Sequence, residues 1–578
     1  MFGVNVQRIF FILFFLLIVT VNSSVLAKMG LVVKGLPDAL QNNVDARLSL
    51  LDPDQIDDTP YFKQSLEDEI KKALRALGYY SPTFEYHISS KPNKLIVVVR
   101  KGQPVLIEQT NVNVIGEGSK DPDYINLLKS DLPNKGTILN HGDYDSFKKQ
   151  LQHIALRKGY FDADLTKHQL AVADKIHQAF WNIDFNTGQR YHFGNVTFNE
   201  SVIRKSYLRN IIPFEHGESY TSDQLSLFNR RLSSTNWFSS VTVIPLINQV
   251  DENKNIPIQV ITVPRKKNSV DVGLGYSNDN GIRSRLGWNK PWINNRGHSF
   301  RSDLALSSPE QSISGVYKIP LYRSPLEDYY TIQGGYKKIN NKDTDSRSYS
   351  IGLIRNWDIF QGWQRAAGLN VMYDNFKQAD DSFRTFLFYP SLSLSRVRSN
   401  DNLFPLWADS QRYSLEAAAE DIASDINFIR FQTQQVWIRS PLDDHRFIAR
   451  GNLGIIQASS FERVPPSFRF FAGGDRSIRG YSFNSISPKD KKGKLKGATK
   501  LVTGSLEYQY NLTGAWWGAV FVDTGEAIDK FDDTDFHTGT GVGIRWVSPI
   551  GPIKLDIATP MNSSKSSVHF YIGLGTEL

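Results

Sequence analysis

Cysteine is absent from this chain of 578 residues. Without it there can be no disulfide, no thiolate zinc site and no cysteine nucleophile. The histidines form no pair at metal-ligand spacing, and the sequence has no G-x-S-x-G elbow, no H-E-x-x-H pattern and no phosphate-binding loop. We therefore expect neither an enzyme nor a bound cofactor or metal.

Long apolar runs are missing after the first 27 residues, so the sequence predicts no membrane-spanning helix in the rest of the chain. Residues 1–27 are typical of a signal peptide, with Arg8 before the apolar run Ile9–Val21 and small residues at Val25–Ala27. As a helix, the run would span roughly 20 Å, which is short of the ~30 Å hydrocarbon core. We expect cleavage before Lys28; the alternative is an uncleaved anchor.

A concentrated patch of one charge is also lacking. The chain has 67 basic and 59 acidic residues, a net charge of +8, but its basic residues are dispersed. The densest run, Lys489–Lys496, is interrupted by Asp490 and Gly493 and is typical of a solvated loop. We therefore do not expect a nucleic-acid partner.

The N-terminal part contains a weak internal repeat. Amphipathic helices end near Gly78, Gly159 and Asn236, each followed by a pair of aromatic residues, at intervals of 81 and 77 residues. Glycine and asparagine suit the left-handed conformation that follows a helix. The repeat predicts three modules, with a signal peptide before them. The predicted boundaries are 1–27, 28–103, 104–188, 189–265 and, for the remaining domain, 266–578.

Each module is predicted to have the order β-α-α-β-β, with two helices on one face of a small sheet. Thr221 is predicted to cap the helix that ends near Asn236, and the aromatic pairs are predicted to seal the module cores. A free sheet edge beside a groove can bind an extended chain by strand addition. The alternative is that the modules are only spacers.

The C-terminal part alternates strictly between apolar residues and polar or small ones. Val270, Val272 and Leu274 oppose Asp271 and Gly273, for example. This pattern indicates lipid outside and a polar lumen inside. Because only helices and closed barrels satisfy the backbone in lipid, we predict a transmembrane β-barrel of about sixteen antiparallel strands, preceded by the three α+β modules.

One connection of the predicted barrel is unusually long and rich in glycine, aromatic residues and arginine. It contains the residues predicted to anchor it, Gly473-Gly474-Asp475 and Ile478-Arg479-Gly480-Tyr481, and it continues to about Lys500. Glycine permits the tight turns of a loop that folds back into the lumen. An arginine carried there needs carboxylate partners, and strand parity directs Glu507 and Asp523 inward.

These residues resemble a known family. Ile478-Arg479-Gly480-Tyr481 resembles the (V/I)RG(F/Y) loop motif of the Omp85 superfamily, and the three modules resemble its POTRA (polypeptide-transport-associated) domains. Phe521–Gly525, after the motif, also resembles the family, and Gly541–Arg545 and the ending Phe570–Gly575 resemble its closing strands. The count of three modules differs from the five of its usual assembly insertase and the two of its secretion transporters.

The resemblance implies a barrel whose first and last strands, about 268–277 and 566–576, meet at a weak seam that can part. Glycine near the end of the last strand would weaken packing there, although these glycines could also be ordinary small lumen residues. The predicted seam residues are Val270, Val272, Leu274, Phe570, Ile572, Gly573 and Gly575.

The function implied is insertion or translocation of outer-membrane proteins, such as autotransporters, through that seam. The implied location is the bacterial outer membrane, with the modules in the periplasm. The implied partners are unfolded outer-membrane proteins, membrane lipid and an inner-membrane protein that spans the periplasm.

Two alternatives remain open. A two-partner-secretion transporter would be expected to carry a plug helix and two modules, whereas a passive pore would need no modules and would conduct steadily in a planar bilayer.

Overall fold

A computed structural model describes most of the chain after the predicted signal peptide. The residues it describes are 29–90, 93–277, 281–341, 343–358, 362–401, 403–531, 535–548, 551–561 and 567–574. The predicted signal peptide and the predicted seam residue Gly575 lie outside them. Within these ranges, no helix has the length and apolar character needed to cross a membrane.

The chain divides into two compact units. The first contains residues up to Asn195 together with Phe214–Leu225 and Leu246–Pro257. The second contains Val196–Pro213, Ser226–Pro245 and Ile258–Leu578.

The N-terminal part contains three modules with the predicted order β-α-α-β-β. Module 1 consists of β1 (Gly30–Lys34), α1 (Asp38–Leu48), α2 (Pro60–Ala76), β2 (Thr83–Ser90) and β3 (Asn93–Arg100). Module 2 consists of β4 (Leu106–Ile115), α3 (Pro122–Ser130), α4 (His141–Lys158), β5 (Asp164–Ala173) and β6 (Gln178–Asn186). Module 3 consists of β7 (His192–Phe198), α5 (Lys205–Arg209), α6 (Ser222–Ser234), β8 (Phe238–Pro245) and β9 (Asn255–Pro264). Each sheet has its last strand in the centre, in the orders β1-β3-β2, β4-β6-β5 and β7-β9-β8.

Local sequence explains where the second helix of each module begins and ends. Thr221 Oγ1 accepts a hydrogen bond from the backbone N–H of Gln224 at 3.2 Å, so the predicted cap of α6 is confirmed. The residues after the three helices adopt positive φ, +87° at Gly78, +83° at Gly159 and +60° at Asn236. The predicted left-handed helix ends are therefore confirmed.

The aromatic pairs after these helices were predicted to seal the core of their own module. This holds for the first ring of two pairs, since Tyr79 and Tyr160 are buried in the cores of modules 1 and 2. The neighbouring ring of Phe161 instead packs edge-on against Tyr191 and Tyr220, with centroids 5.4 and 5.1 Å apart. The pair of Tyr160 and Phe161 thus spans the joint between modules 2 and 3.

The joint between the first two modules contains a titratable contact. The Tyr80 hydroxyl lies 2.6 Å from Nε2 of His141. Burial lowers the pKa of His141 below its ordinary value, and nearby Asp145 offsets this only in part.

We expect this joint to lose stability as the pH falls through the histidine range. A lowered folded-state pKa means that the unfolded chain binds the proton first, so stability present above about pH 6.5 is lost below it. Thermal unfolding of the full-length protein, followed by its helical circular-dichroism signal, should begin a few degrees lower at about pH 5.5 than at about pH 7.5. His141→Gln should reduce that difference; an equal difference in the variant would contradict the assignment.

The C-terminal part forms one antiparallel sheet of sixteen strands, in the order β10 to β25, which confirms the predicted barrel class. The first eight are β10 (Ser269–Ser277), β11 (Gly281–Lys290), β12 (Ser299–Ser307), β13 (Glu310–Pro320), β14 (Tyr329–Asn341), β15 (Thr344–Asp358), β16 (Gln364–Gln378) and β17 (Asp381–Ser399). The last eight are β18 (Trp407–Ala418), β19 (Phe428–Leu442), β20 (His445–Ala458), β21 (Lys500–Thr513), β22 (Trp516–Ile528), β23 (His537–Ser548), β24 (Gly551–Pro560) and β25 (His569–Leu574).

Burial in this sheet is inverted relative to that of a soluble protein. Large apolar side chains are exposed, 80% for Leu274 and 63% for Leu506, whereas Asp374 and Gln509 are fully buried. Outward apolar residues and an inward polar face are what a bilayer requires of a barrel wall. The predicted alternation is therefore confirmed.

Candidate functional site

The long connection between β20 and β21, residues 459–499, is here called the lumenal loop. It folds as an irregular hairpin, with bridges between Phe470 and Ala498 and between Ala472 and Ile486. Ile478 at its inner end is fully buried. These apolar residues pack with inward residues of the flanking strands, so the loop has a core of its own inside the barrel.

The base of this loop is held by an arginine that the sequence analysis did not single out. Arg469 is buried, and its guanidinium donates to the carbonyls of Val464 at 2.8 Å, Lys496 at 2.7 Å and Glu462 at 2.7 Å. One side chain thereby satisfies three backbone acceptors on the two arms of the loop. Arg469 lies in the aromatic run that marked the loop in the sequence, but nothing in the sequence shows that its partners are backbone carbonyls.

Arg479 lies at the inner end of the loop and is 2% exposed. Its Nε and Nη2 donate to the two carboxylate oxygens of Asp523 at 2.7 and 2.9 Å, and its Nη1 donates to Glu507 at 2.8 Å and to Asp556 at 3.2 Å. Its guanidinium carbon also lies 3.3 Å from the ring centroid of Phe521. A bidentate, charge-assisted pair that also stacks on an aromatic ring uses the full geometry of arginine, which lysine cannot reproduce.

Two further arginines complete a charge cluster around this contact. Arg545 donates to Glu507 at 2.7 Å and to Asp556 at 2.5 Å, and Arg450 lies 3.5 Å from Glu507. Three positive and three negative side chains therefore balance inside the wall, as buried charges require. The charge cluster consists of Arg450, Arg479, Arg545, Glu507, Asp523 and Asp556.

The cluster continues toward the opposite end of the lumen. Gln509 donates to Glu507 at 2.6 Å and accepts from Arg446 at 2.6 Å. Arg446 in turn donates at 2.8 Å to the carbonyl of Pro405, in the turn between β17 and β18. One continuous chain of hydrogen bonds therefore joins that turn to Arg479.

The structure places Glu507 and Asp523 beside Arg479, where strand parity had directed them. Sequence reasoning missed Arg450, Arg545 and Asp556 as members of the same cluster. The strand alternation places Arg545 and Asp556 on the inward face, so the signal was present for these two. The alternation does not give the three-dimensional register that brings residues of five strands, β20 to β24, to one point.

Two glycines make room for the inner end of the loop. Gly480 has φ +97°, and a Cβ there would lie 2.8 Å from the Thr559 carbonyl carbon. A Cβ on Gly539 of β23 would lie 1.7 Å from the Arg479 carbonyl oxygen. The backbone of the loop thus approaches the wall more closely than a side chain would allow.

The other predicted motif residues differ in their surroundings. Gly473 and Gly474 are buried and have positive φ, and the ring of Tyr481 packs edge-on against His537 at 5.1 Å. Asp475 is exposed, so it does not contribute to the buried contacts that were predicted to anchor the loop.

The two ends of the sixteen-stranded sheet lie next to each other. Cα atoms of β10 and β25 come within 8 Å, but among the described residues no ladder of backbone hydrogen bonds joins them. Among the described residues, the ladder that joins β25 to β24 runs over six residue pairs, from Ala558 and His569 to Ile553 and Leu574.

The side chains of β10 and β25 face alternately outward and inward, as the sequence alternation predicts. The apolar ones face outward, with Val272 73% and Phe570 55% exposed. On the inner face, a Cβ at Gly275 or Gly573 would meet no atom within 4 Å. Packing therefore does not force glycine at position 573. Glycine leaves open space on the inner face at these two positions. The remaining predicted seam residues, Val270, Leu274 and Ile572, are also exposed.

Comparison with known families and proteins gives a uniform result. The model of the Omp85 superfamily domain matches residues 266–578. A model of the first POTRA domain of TamA matches residues 30–101, and a POTRA model described as a surface antigen variable number repeat matches residues 191–265.

Similar curated proteins include the outer membrane protein assembly factor BamA of Neisseria meningitidis serogroup B, 21% identical over 450 residues that cover 66% of this chain and 55% of the relative. BamA of Neorickettsia risticii is 20% identical over 402 residues, covering 64% of this chain and 52% of the relative. The chain spans about half the length of these relatives. The crystal structure of BamA from Haemophilus ducreyi lacking POTRA domains 1–3 superposes with a TM-score of 0.64 at 17% identity, covering 81% of this chain and 99% of that one.

Proposed function

This chain belongs to the Omp85 superfamily, and from that premise we propose that it inserts or translocates outer-membrane proteins through a lateral seam between β10 and β25. It does so without enzymatic chemistry. The proposal places the barrel in the bacterial outer membrane and the three modules in the periplasm, with domain boundaries at 28–103, 104–188, 189–265 and 266–578. Its substrates are unfolded outer-membrane proteins such as autotransporters.

One observation carries this proposal. The sheet ends at two neighbouring strands, β10 and β25, and among the described residues no ladder joins them. When the strands part, each presents a row of unpaired backbone donors and acceptors to an incoming strand. The ladder bonds that the incoming strand makes replace those lost, so no nucleotide is needed at this step.

The charge cluster gives the loop a role in this mechanism. Arg479 fixes the inner end of the lumenal loop to β21, β22 and β24, close to the strand that must move. We propose that this anchoring keeps the wall next to the seam rigid, so that only β25 separates. Ile478, Gly480 and Tyr481 shape the loop around that anchor.

Within the superfamily, we propose that the chain is a TamA-like subunit of a translocation and assembly module, with a TamB-like protein as its periplasm-spanning partner. The match of residues 30–101 to the first POTRA domain of TamA supports this, as does the count of three modules. Module 1 lies at the end of the chain farthest from the barrel in sequence, and its sheet has two edge strands, β1 and β2. An edge strand is suited to pairing with an extended partner.

Deleting module 1 is expected to abolish co-purification of a TamB-like protein while the barrel still inserts. The reason is that the deletion removes the edge strands β1 and β2, whereas every strand of the barrel remains. Co-purification from solubilised envelopes, with mass spectrometry of the bound proteins, measures this. Heat-modifiable migration of the deletion variant on semi-native gels is the control for barrel folding.

Undiminished recovery of the TamB-like protein after the deletion would contradict the docking role of module 1. Recovery of a different set of periplasmic factors with the full-length chain would favour a BamA-like assignment over a TamA-like one.

A further inference from the structure

Tyr571 lies on the terminal strand β25, and its side chain reaches the inner end of the lumenal loop. The ring is 7% exposed and packs with Phe521 and Ala558. Its hydroxyl accepts a hydrogen bond from the backbone N–H of Gly480 at 3.1 Å and donates one to the carbonyl of Tyr481 at 3.1 Å. A single hydroxyl therefore satisfies two neighbouring backbone groups of the loop.

This contact stands directly beside the charge cluster. Tyr571 is the ladder partner of Asp556, and Asp556 accepts from both Arg479 and Arg545. Arg479 holds the loop to the wall, and the next two residues of the loop hold Tyr571. The loop thus links the fixed part of the wall to the strand at the seam.

The hydroxyl adds to the ladder that holds the terminal strand. Over the described part of β25, this ladder contains six residue pairs with β24. The two hydrogen bonds of Tyr571 attach the same strand to a second element, the buried inner end of the loop. Gly480 N–H is buried, so loss of the hydroxyl would leave a buried donor without this acceptor, which is costly.

We infer that Tyr571 is a positioning residue that ties β25 to the lumenal loop and so keeps the seam closed at rest. The loop and the seam are then coupled: a change at the inner end of the loop releases the terminal strand, and parting of the seam pulls on the loop. This inference rests on the proposed function for its purpose, but the tether itself can be measured without any substrate.

The test is Tyr571→Phe in the full-length protein in lipid nanodiscs, followed by hydrogen–deuterium exchange. Phenylalanine keeps the ring between Phe521 and Ala558 and removes only the hydroxyl, so the barrel should fold. We expect exchange about five- to tenfold faster in peptides that contain His569–Leu574 and in those that contain Gly480, since one or two net hydrogen bonds are lost. Peptides from β15 and β16 should not change.

Tyr317→Phe is the matched control. Its hydroxyl also makes one hydrogen bond inside the barrel domain, at 2.9 Å to Nδ1 of His298, but it lies on β13, away from the loop and the seam. It should leave the exchange of β25 unchanged. The inference would be overturned if β25 peptides of Tyr571→Phe exchanged at the wild-type rate. It would also be overturned if both variants accelerated the exchange of β25 equally.

A second arm separates the inference from the proposed function. The same two variants are reconstituted in liposomes, and the rate at which they assemble an unfolded outer-membrane protein is measured. Faster exchange of β25 with a raised assembly rate supports both. Faster exchange with an unchanged assembly rate supports the tether and counts against the seam as the route.

Discussion

A disulfide that locks β10 to β25 is expected to lower the assembly of outer-membrane proteins at least about tenfold, with full recovery after reduction. The two strands approach within 8 Å between Cα atoms, and a disulfide closes without backbone movement when the Cα atoms lie within ~7 Å. The covalent bond prevents the parting of the strands, so the edges that would receive an incoming strand stay covered. This is the largest effect that the proposed mechanism predicts.

The chain is well suited to this experiment because it has no native cysteine. One cysteine replaces the outward residue Val272 of β10 and one replaces an outward residue of β25, Phe570 or Ile572, so that neither enters the charge cluster. Assembly of a substrate barrel is then followed in proteoliposomes before oxidation, after oxidation and after addition of reductant.

The matched control is a cysteine pair at Ile351 and Val371, which are directly opposed on β15 and β16. That disulfide adds the same covalent link far from the junction of the first and last strands, and it should have no effect on assembly. Normal assembly by the oxidised seam variant would rule out the lateral route and leave the lumen as the only path. Equal inhibition by both pairs would point to general rigidification of the wall.

The architecture could be predicted from the sequence because it depends on periodicity. Alternation along single strands indicates which residues face lipid, and the structure bears this out from Val272 on the first strand to Phe570 on the last. The helix ends of the modules could be predicted for a similar reason, since Gly78 and Asn236 satisfy a local backbone requirement. Such features need no knowledge of distant residues.

The loop contacts could be predicted only in part, because they depend on register across several strands. Parity places Glu507, Asp523 and Asp556 on the inner face alike, but it does not say which of them lie at the height of Arg479. The contacts of Arg469 could not be predicted for another reason. Its partners are backbone carbonyls, and these have no signature in the sequence. Asp475 is the opposite case: it belongs to the predicted motif, but its side chain is exposed and takes no part in the buried contacts.

Replacing Arg479 by alanine is expected to leave the barrel inserted but to destabilise it by about 3–5 kcal/mol, because a buried pair would lose one partner. For a domain of this size that corresponds to a fall of roughly 10 °C in the temperature at which the folded band disappears on semi-native gels. A wet lumen would weaken the effect, but Arg479 is 2% exposed and Asp523 is 1% exposed. Assembly should fall with it, since the inner end of the loop loses its attachment.

Two further variants separate charge from geometry. Arg479→Lys retains the positive charge but cannot form the bidentate contact with Asp523, so it should give intermediate heat resistance. Arg479→Ala combined with Asp523→Asn removes one charge of each sign and restores the balance of the charge cluster. The double variant should regain part of the heat resistance without regaining assembly, because the loop is still unattached.

Arg476→Ala is the control that makes the result specific to the charge cluster. Arg476 lies three residues before Arg479 in the same loop and is exposed, so its removal changes the net charge equally without opening a buried pair. We expect its heat resistance and assembly to match those of the wild type. If Arg479→Ala also matched the wild type in both measurements, Arg479 would not anchor the lumenal loop. If heat resistance fell while assembly stayed normal, the cluster would stabilise the barrel but take no part in transport.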